Sequence, residues 1–249
     1  LYDKSGIAIG NIIGSNITNI LLVLGICSLF SPLVISFSKI KKDILIYLGV
    51  CVVLIFLLWN EILERWEGIL MFTGIIFYTI HAFITDKDHD EDFEDPVSTW
   101  HRTILFLVFG IVLLYFGSEY FIDGAIGFAK IIGVNDLIIG MSVVALGTSL
   151  PELVTSVFAA VKKEHSISVG NIIGSNLFNI LSVLGLVSII TPLSVESSIF
   201  SFEIPFMIGT GLLLIPISLR QRPISKGISF SMLIGYFIFI FILFTEPML

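Results

Sequence analysis

The sequence predicts an all-α membrane protein built from two inverted repeats, and three observations lead to this fold class. The 249 residues are 56% hydrophobic and 13% charged, with a mean hydropathy of +1.03, whereas about a quarter of a typical soluble domain is charged. Eight apolar runs are each long enough to cross a hydrocarbon core of about 30 Å as a helix. A stretch of 16 residues occurs twice.

The eight predicted spans follow one another with short loops. They lie at 8–30, 43–59, 66–84, 103–120, 137–161, 168–190, 199–219 and 225–244. Backbone groups in lipid must be hydrogen-bonded within their own segment, so runs of this length without strand alternation indicate helices rather than the strands of a barrel.

Lysine and arginine are distributed unevenly over the loops. Ten basic residues fall on one side of the predicted membrane and three on the other, and cytoplasmic loops are the ones enriched in these residues. The ten are Lys39, Lys41, Lys42, Lys87, Arg102, Lys162, Lys163, Arg220, Arg222 and Lys226. The bias places loops 31–42, 85–102, 162–167 and 220–226 in the cytoplasm and the C-terminus outside.

The 85–102 segment is the one long polar stretch of the sequence. It holds seven carboxylates in the ten residues from Asp86 to Asp95, and such a run repels itself and stays extended. We interpret it as an acidic cytoplasmic linker between a first half in 1–84 and a second half in 103–249.

Charge and composition exclude several classes of protein. A net charge of -7 and a pI near 5.0 argue against nucleic acid as a partner. Cys27 and Cys51 lie in apolar runs, which favours packing residues over a disulfide or a metal site. Within the predicted spans there is neither a nucleophile–base pair nor a histidine-rich metal site, so we do not expect an enzyme.

The repeat relates residues 10–25 to residues 170–185. The two stretches are identical at 13 of 16 positions with an offset of 160 residues, and the similarity continues from 31–33 to 191–193. Five steps from span to span separate the copies, and an odd number means that the copies cross the membrane in opposite directions. Inverted repeats of this kind are a recurrent design of secondary transporters, whose ion sites lie near the midplane.

Each copy carries polar residues four positions apart, namely Asn11, Ser15, Asn19 and then Asn171, Ser175, Asn179. Residues four apart share one helix face. The two small-xxx-small patterns, Gly10/Gly14 and Gly170/Gly174, offer another interpretation, in which these faces only pack helices together. Because this polar stripe, the row of polar residues on one helix face, occurs in two inverted copies, we favour a midplane site.

The span before the second copy contains Glu152, and a carboxylate within a membrane is costly unless it is compensated. Pro151 predicts a helix break near Gly147 that leaves carbonyl oxygens unpaired. Carbonyls, hydroxyls and a carboxylate suit hard cations such as sodium and calcium. A protonated Glu152 that shuttles protons is equally compatible with these residues. Anions and organic substrates are disfavoured, since no intramembrane Lys, Arg or aromatic cage is present.

The sequence G-T-S-L-P-E-L-V-T-S at 147–156, followed by G-N-I-I-G-S-N-L-F-N-I at 170–180, resembles an alpha-repeat of the cation/calcium exchanger superfamily, in particular the prokaryotic sodium/calcium exchangers. The resemblance implies an inverted-repeat transporter fold with ten helices, of which eight are present here. It further implies an antiporter of a prokaryotic cell membrane that binds sodium and calcium competitively, acts as a monomer and needs no cofactor beyond the transported ions.

The resemblance also implies a set of ion-binding residues. Glu152 would be the principal carboxylate, and Ala145 would contribute a backbone carbonyl. The remaining ligands implied are Thr148, Ser149, Ser15, Asn19, Ser175 and Asn179. The potassium-dependent branch of the family has Asp where this chain has Asn179, so we expect potassium-independent exchange.

Residue 1 is Leu, and the repeat offset puts the twin of the 147–152 segment ahead of it. We therefore expect an N-terminally truncated sequence that lacks the first helix, most of the second and a second glutamate, and we expect these 249 residues alone not to transport. Two other functions remain open. One is a calcium/proton exchanger of the same superfamily, and the other is a membrane scaffold without transport.

Overall fold

The computed structural model describes residues 5–85, 100–134 and 136–245, and nearly all of them are helical. The α-helices are α1 Ser5–Thr18, α2 Leu24–Phe30, α3 Phe37–Leu57, α4 Arg65–Thr85, α5 Trp100–Ile131, α6 Asp136–Ile139, α7 Ala145–Thr148, α8 Leu150–Val161, α9 His165–Phe178, α10 Gly185–Ile190, α11 Glu203–Leu219 and α12 Lys226–Thr245. Three π-helical turns are π1 Asn19–Val23, π2 Gly140–Val144 and π3 Asn179–Leu184, and a 3-10 turn covers Ser197–Phe200. Strands β1 Ile62–Leu63 and β2 Leu193–Ser194 complete the described elements.

Every predicted apolar run is helical, which confirms an all-α membrane protein. Six continuous helical segments of the described chain are long and apolar enough to cross a membrane, and a bent pair, Asp136–Thr148 with Leu150–Val161, makes a seventh. Helix α3 is also 21 residues long, but its first two turns carry Lys39, Lys41, Lys42 and Asp43. The count of eight spans therefore stays a prediction. Most of the acidic linker, 86–99, lies outside the described residues.

The two halves show the predicted internal symmetry. Ser5–Phe30 and His165–Ile190 are both helices with a π turn inside, and both their ends differ by the repeat offset. Strand β1 pairs with β2 through Leu63 and Leu193, and Val34 bridges Pro223, next to the Ile224 N–H that donates to the Leu33 carbonyl at 2.9 Å. The offset maps each of these contacts to within one residue of the other, with the halves exchanged. Such reciprocal contacts are those of a two-fold relation.

The glycines of the first copy bring two backbones into contact. A Cβ on Gly10 would lie 2.6 Å from the Leu137 carbonyl oxygen, and one on Gly140 would lie 2.6 Å from the Ile7 carbonyl oxygen. Helix α1 and π2 therefore pack through small residues, as the sequence pattern suggested. At Gly170 and Gly174, a Cβ would meet no described atom within 4 Å. Among the described residues, this glycine pattern therefore brings helices into close contact in the first copy but not in the second.

The helix break lies at Ser149, two residues after Gly147. The helical segment Asp136–Thr148 meets α8 there at an angle of 41°. Pro151 lies in the first turn of α8, where a missing N–H costs no hydrogen bond and the fixed φ suits a helix start. The carbonyls of Ala145 and Leu146 are not free, because the Ser149 N–H donates to both, at 3.1 and 3.2 Å. The break is thus a tight turn that joins two helices.

Candidate cation site at the helix break

The predicted site residues lie on three elements that pack against one another. They occupy α1 with π1, the break between α7 and α8, and α9 with π3. Four of them are buried, namely Ser15, Asn19, Ala145 and Ser149, and four are half-buried, namely Thr148, Glu152, Ser175 and Asn179. Elements from both halves therefore contribute to one region.

An oxygen cluster joins α1 to α7. The Ser15 hydroxyl lies 3.0 Å from the Thr148 hydroxyl, 3.1 Å from Asn11 Oδ1 and 3.5 Å from the Ala145 carbonyl oxygen. Thr148 Oγ1 lies 2.9 Å from the same Asn11 oxygen and 3.2 Å from the same Ala145 oxygen. The two hydroxyls have one proton each, so the cluster holds more acceptor lone pairs than protons. The lone pairs left over can bind a cation or accept a hydrogen bond from water.

Glu152 forms the second part of the region. The Ser175 hydroxyl lies beside its carboxyl group, while Glu152 Oε2 has no hydrogen-bond partner in the described chain. No Lys or Arg of the described residues forms an ion pair with Glu152. The charge of this carboxylate is therefore not balanced by a basic side chain of residues 5–85, 100–134 and 136–245.

Two more buried oxygens of the predicted site residues are without partners among the described residues. They are Ser149 Oγ and Asn19 Oδ1, whose residues are 2% and 1% exposed. A buried polar atom left unsatisfied costs about 1–3 kcal/mol. Three acceptor-capable oxygens, including Glu152 Oε2, are thus available to a cation or to water.

Both asparagines of the predicted set begin a π turn: π1 begins at Asn19 and π3 begins at Asn179. Such turns are rare and occur often at functional sites, since they shift the side chains that follow by one position around the helix. Nothing in the helical spacing of the sequence predicted them. Because π1 and π3 begin at equivalent positions, the departure from α-helical geometry is a feature of the repeat.

Three asparagines outside the predicted set contribute to the region. Asn11 was part of the polar stripe, and it joins the oxygen cluster. Asn16 and Asn176 were passed over, although they are identical residues at the repeat offset. Asn176 Oδ1 accepts a hydrogen bond of 3.0 Å from Asn19 Nδ2, and Asn176 Nδ2 donates to the Asn16 carbonyl oxygen at 3.3 Å.

Asn171, the twin of Asn11, has a different role. Its Nδ2 donates to Thr155 Oγ1 at 3.0 Å and to Ser156 Oγ at 2.9 Å. These bonds join α9 to α8 within the second half. Asn171 therefore connects helices, as the packing interpretation expected, while Asn11 belongs to the oxygen cluster.

Known proteins match the chain over most of its length. The model of the sodium/calcium exchanger protein family matches residues 1–84 and 102–245. The putative antiporter CaxA of Alkalimonas amylolytica is 36% identical over 223 residues, which are 86% of this chain and 70% of CaxA. The sodium/calcium exchanger MaX1 of Methanosarcina acetivorans is 31% identical over an alignment of 286 positions that covers 98% of this chain and 82% of MaX1.

A solved structure resembles this chain in both fold and sequence. The sodium-calcium exchanger NCX_Mj, soaked with Na⁺ and Sr²⁺, superposes with a TM-score of 0.75 at 30% identity, and the match covers 98% of this chain and 78% of that one. The inverted-repeat transporter fold and the resemblance to prokaryotic exchangers are thereby confirmed. The activity class is cation/calcium exchange across a membrane, and the family is one of transporters. The chain belongs to the sodium/calcium exchanger protein family.

Proposed function

We propose that this protein is a secondary active antiporter that exchanges sodium for calcium by alternating access. The observation that carries the proposal is that Glu152 Oε2, Ser149 Oγ and Asn19 Oδ1 are buried without partners among the described residues, on elements that pack against one another around a helix break. All three of these unpaired atoms are oxygens, and hard cations prefer oxygen ligands. The names of MaX1 and NCX_Mj, both sodium/calcium exchangers, support the same pair of ions.

In this proposal each residue of the site contributes one kind of oxygen. Glu152 supplies the negative charge, Ala145 supplies a backbone carbonyl, and Asn19 and Asn179 supply amide oxygens. The hydroxyl ligands are Ser15, Thr148, Ser149 and Ser175. Sodium and calcium would compete for the same atoms, so the release of one would accompany the binding of the other. This competition produces exchange if the site cannot switch its access from one side of the membrane to the other without a bound ion.

The inverted halves give a route to alternating access. We propose 1–84 and 103–249 as the two halves, joined through 85–102, with the site on elements from both. Transporters of this design move one repeat relative to the other around a fixed midplane site. The contacts of β1 with β2 and of Val34 with Pro223 correspond under the repeat offset to within one residue. Two such corresponding contacts are compatible with two states of the protein, each with the site open to one side of the membrane.

The proposal is tested by calcium uptake into vesicles that contain the protein encoded by the complete gene. We expect an outward sodium gradient to drive uptake and an imposed pH gradient to drive none. Uptake that follows the pH gradient alone would overturn sodium coupling in favour of calcium/proton exchange. Absence of flux from a folded protein under either gradient would favour the scaffold interpretation, and potassium should have no effect if exchange is potassium-independent.

The sidedness proposed from the basic loops has its own test. Lys162 and Glu196 are exposed residues of loops that we place in the cytoplasm and outside, respectively. Cys27 and Cys51 are both buried, so an introduced thiol should dominate labelling. An impermeant maleimide added to intact cells should label Glu196→Cys and spare Lys162→Cys, and inverted vesicles should reverse the result. The opposite pattern would show that the orientation is wrong.

A further inference from the structure

A chain of three buried asparagines crosses the interface between the halves. Asn19 Nδ2 donates to Asn176 Oδ1 at 3.0 Å, and Asn176 Nδ2 donates to the Asn16 main-chain oxygen at 3.3 Å. The exposed fractions of these residues are at most 1%. The chain thus begins at a residue of the proposed site and ends on a backbone carbonyl.

The direction of these hydrogen bonds is determined at the backbone end. A main-chain carbonyl only accepts, whereas a side-chain amide has one end that donates and one that accepts. The Asn16 carbonyl therefore requires the NH₂ group of Asn176, and the oxygen of Asn176 must then face Asn19. The Tyr47 hydroxyl of α3 also lies against the Asn176 side chain, which further restricts its movement.

The same logic determines which end of the Asn19 amide is left free of a hydrogen bond. Since Asn176 presents an oxygen, Asn19 must present its NH₂ group, and its own Oδ1 then points away without a partner in the described chain. Rotating the amide by half a turn would bring two oxygens together at Asn176 and leave the amino group of Asn19, rather than its oxygen, without a partner. A donor at that place would repel a cation.

We propose that Asn176 is a positioning residue for cation binding, which acts by holding the Asn19 amide with its oxygen toward the site. The inference rests on the proposed function. It adds a residue that offers no ligand itself and that lies on the opposite half from the ligand it orients. Asn16 and Asn176 are equivalent in the repeat, so their contact lies where the two halves meet.

The test measures calcium affinity in a double-mutant cycle with the protein encoded by the complete gene, using radioactive calcium as the probe. Asn176→Leu should weaken calcium binding about 10-fold, the lower end for residues that orient metal ligands. Asn19→Ala should weaken it by at least as much. In the Asn19→Ala background, Asn176→Leu should have no further effect, because its influence passes through Asn19.

Asn171→Leu is the matched control, since it removes a hydrogen-bonded asparagine from the same helix and should leave calcium affinity unchanged. Asn176→Ala replaces Asn176→Leu if the larger side chain prevents folding, with the same expected loss. Wild-type affinity in a folded Asn176 variant, or losses that multiply in the double mutant, would overturn the inference alone. A wild-type protein that neither binds nor transports calcium would overturn the proposed function and the inference with it.

Discussion

Sodium-driven calcium uptake should fall by more than about 100-fold when Glu152 is replaced by Gln, a loss larger than that expected from residues that only orient metal ligands. The replacement keeps the size of the side chain and removes its charge. Glu152 has no basic partner among the described residues, so a bound cation is what we expect to balance it. Without the carboxylate, neutral oxygens must replace the hydration shell of a divalent ion, which is unfavourable within a membrane.

Glu196→Gln provides the control for this experiment, because it makes the same chemical change at an exposed loop residue. It should transport at the wild-type rate. Both variants should be compared at equal amounts of folded protein, measured by size-exclusion chromatography. Wild-type uptake by a folded Glu152→Gln protein would remove Glu152 from the site, and it would return the polar stripe to a role in helix packing.

The second large effect is expected at Gly14, where α1 crosses π2 and α7. A Cβ at this position would lie 2.7 Å from both the Ala145 Cβ and the Met141 Cα, and it would also collide with the Met141 carbonyl oxygen. Backbone atoms cannot move aside without moving the helix. Overpacking of this kind costs about 3 kcal/mol, so we expect Gly14→Ala to lower the melting temperature by roughly 6–12 °C.

Gly209→Ala is the matched control for Gly14→Ala, since a Cβ on this exposed residue of α11 meets no described atom within 4 Å. Alanine also favours a helix by up to about 1 kcal/mol over glycine, so its melting temperature should stay constant or rise slightly. Because Gly14 precedes the site residue Ser15, the Gly14 variant should also lose flux. Equal melting temperatures for the two variants would contradict the close helix contact.

Much of the fold could be predicted from the sequence because lipid leaves few choices. Apolar runs of this length in lipid must be helices, and the offset between the two copies is a property of the chain itself. Pro151 predicted a break near Gly147, and the break lies two residues further on at Ser149, since the effect of proline is local. The number of spans could not be settled in the same way, because α3 begins with four charges in two turns.

The candidate site was predictable in its residue types and only partly in its contacts. Spacing by four positions identified Ser15 and Asn19, and the resemblance added Ala145, Thr148 and Ser149. The sequence did not reveal that Asn11 and Asn171, although twins, have different partners. Their partners depend on which helix lies opposite each copy, and no periodicity within one helix contains that information.

By itself, the sequence determined the membrane environment, the inverted repeat, the helix break and the oxygen-rich character of the site, because each depends on composition or local spacing. The tertiary structure alone decided which atoms meet and which stay unpaired. Asn19 and Asn176 are far apart in the chain, and their amide orientations are both set through the backbone carbonyl of Asn16. Hydrogen-bond direction is a property of the assembled interface, so it becomes visible only when the helices are packed.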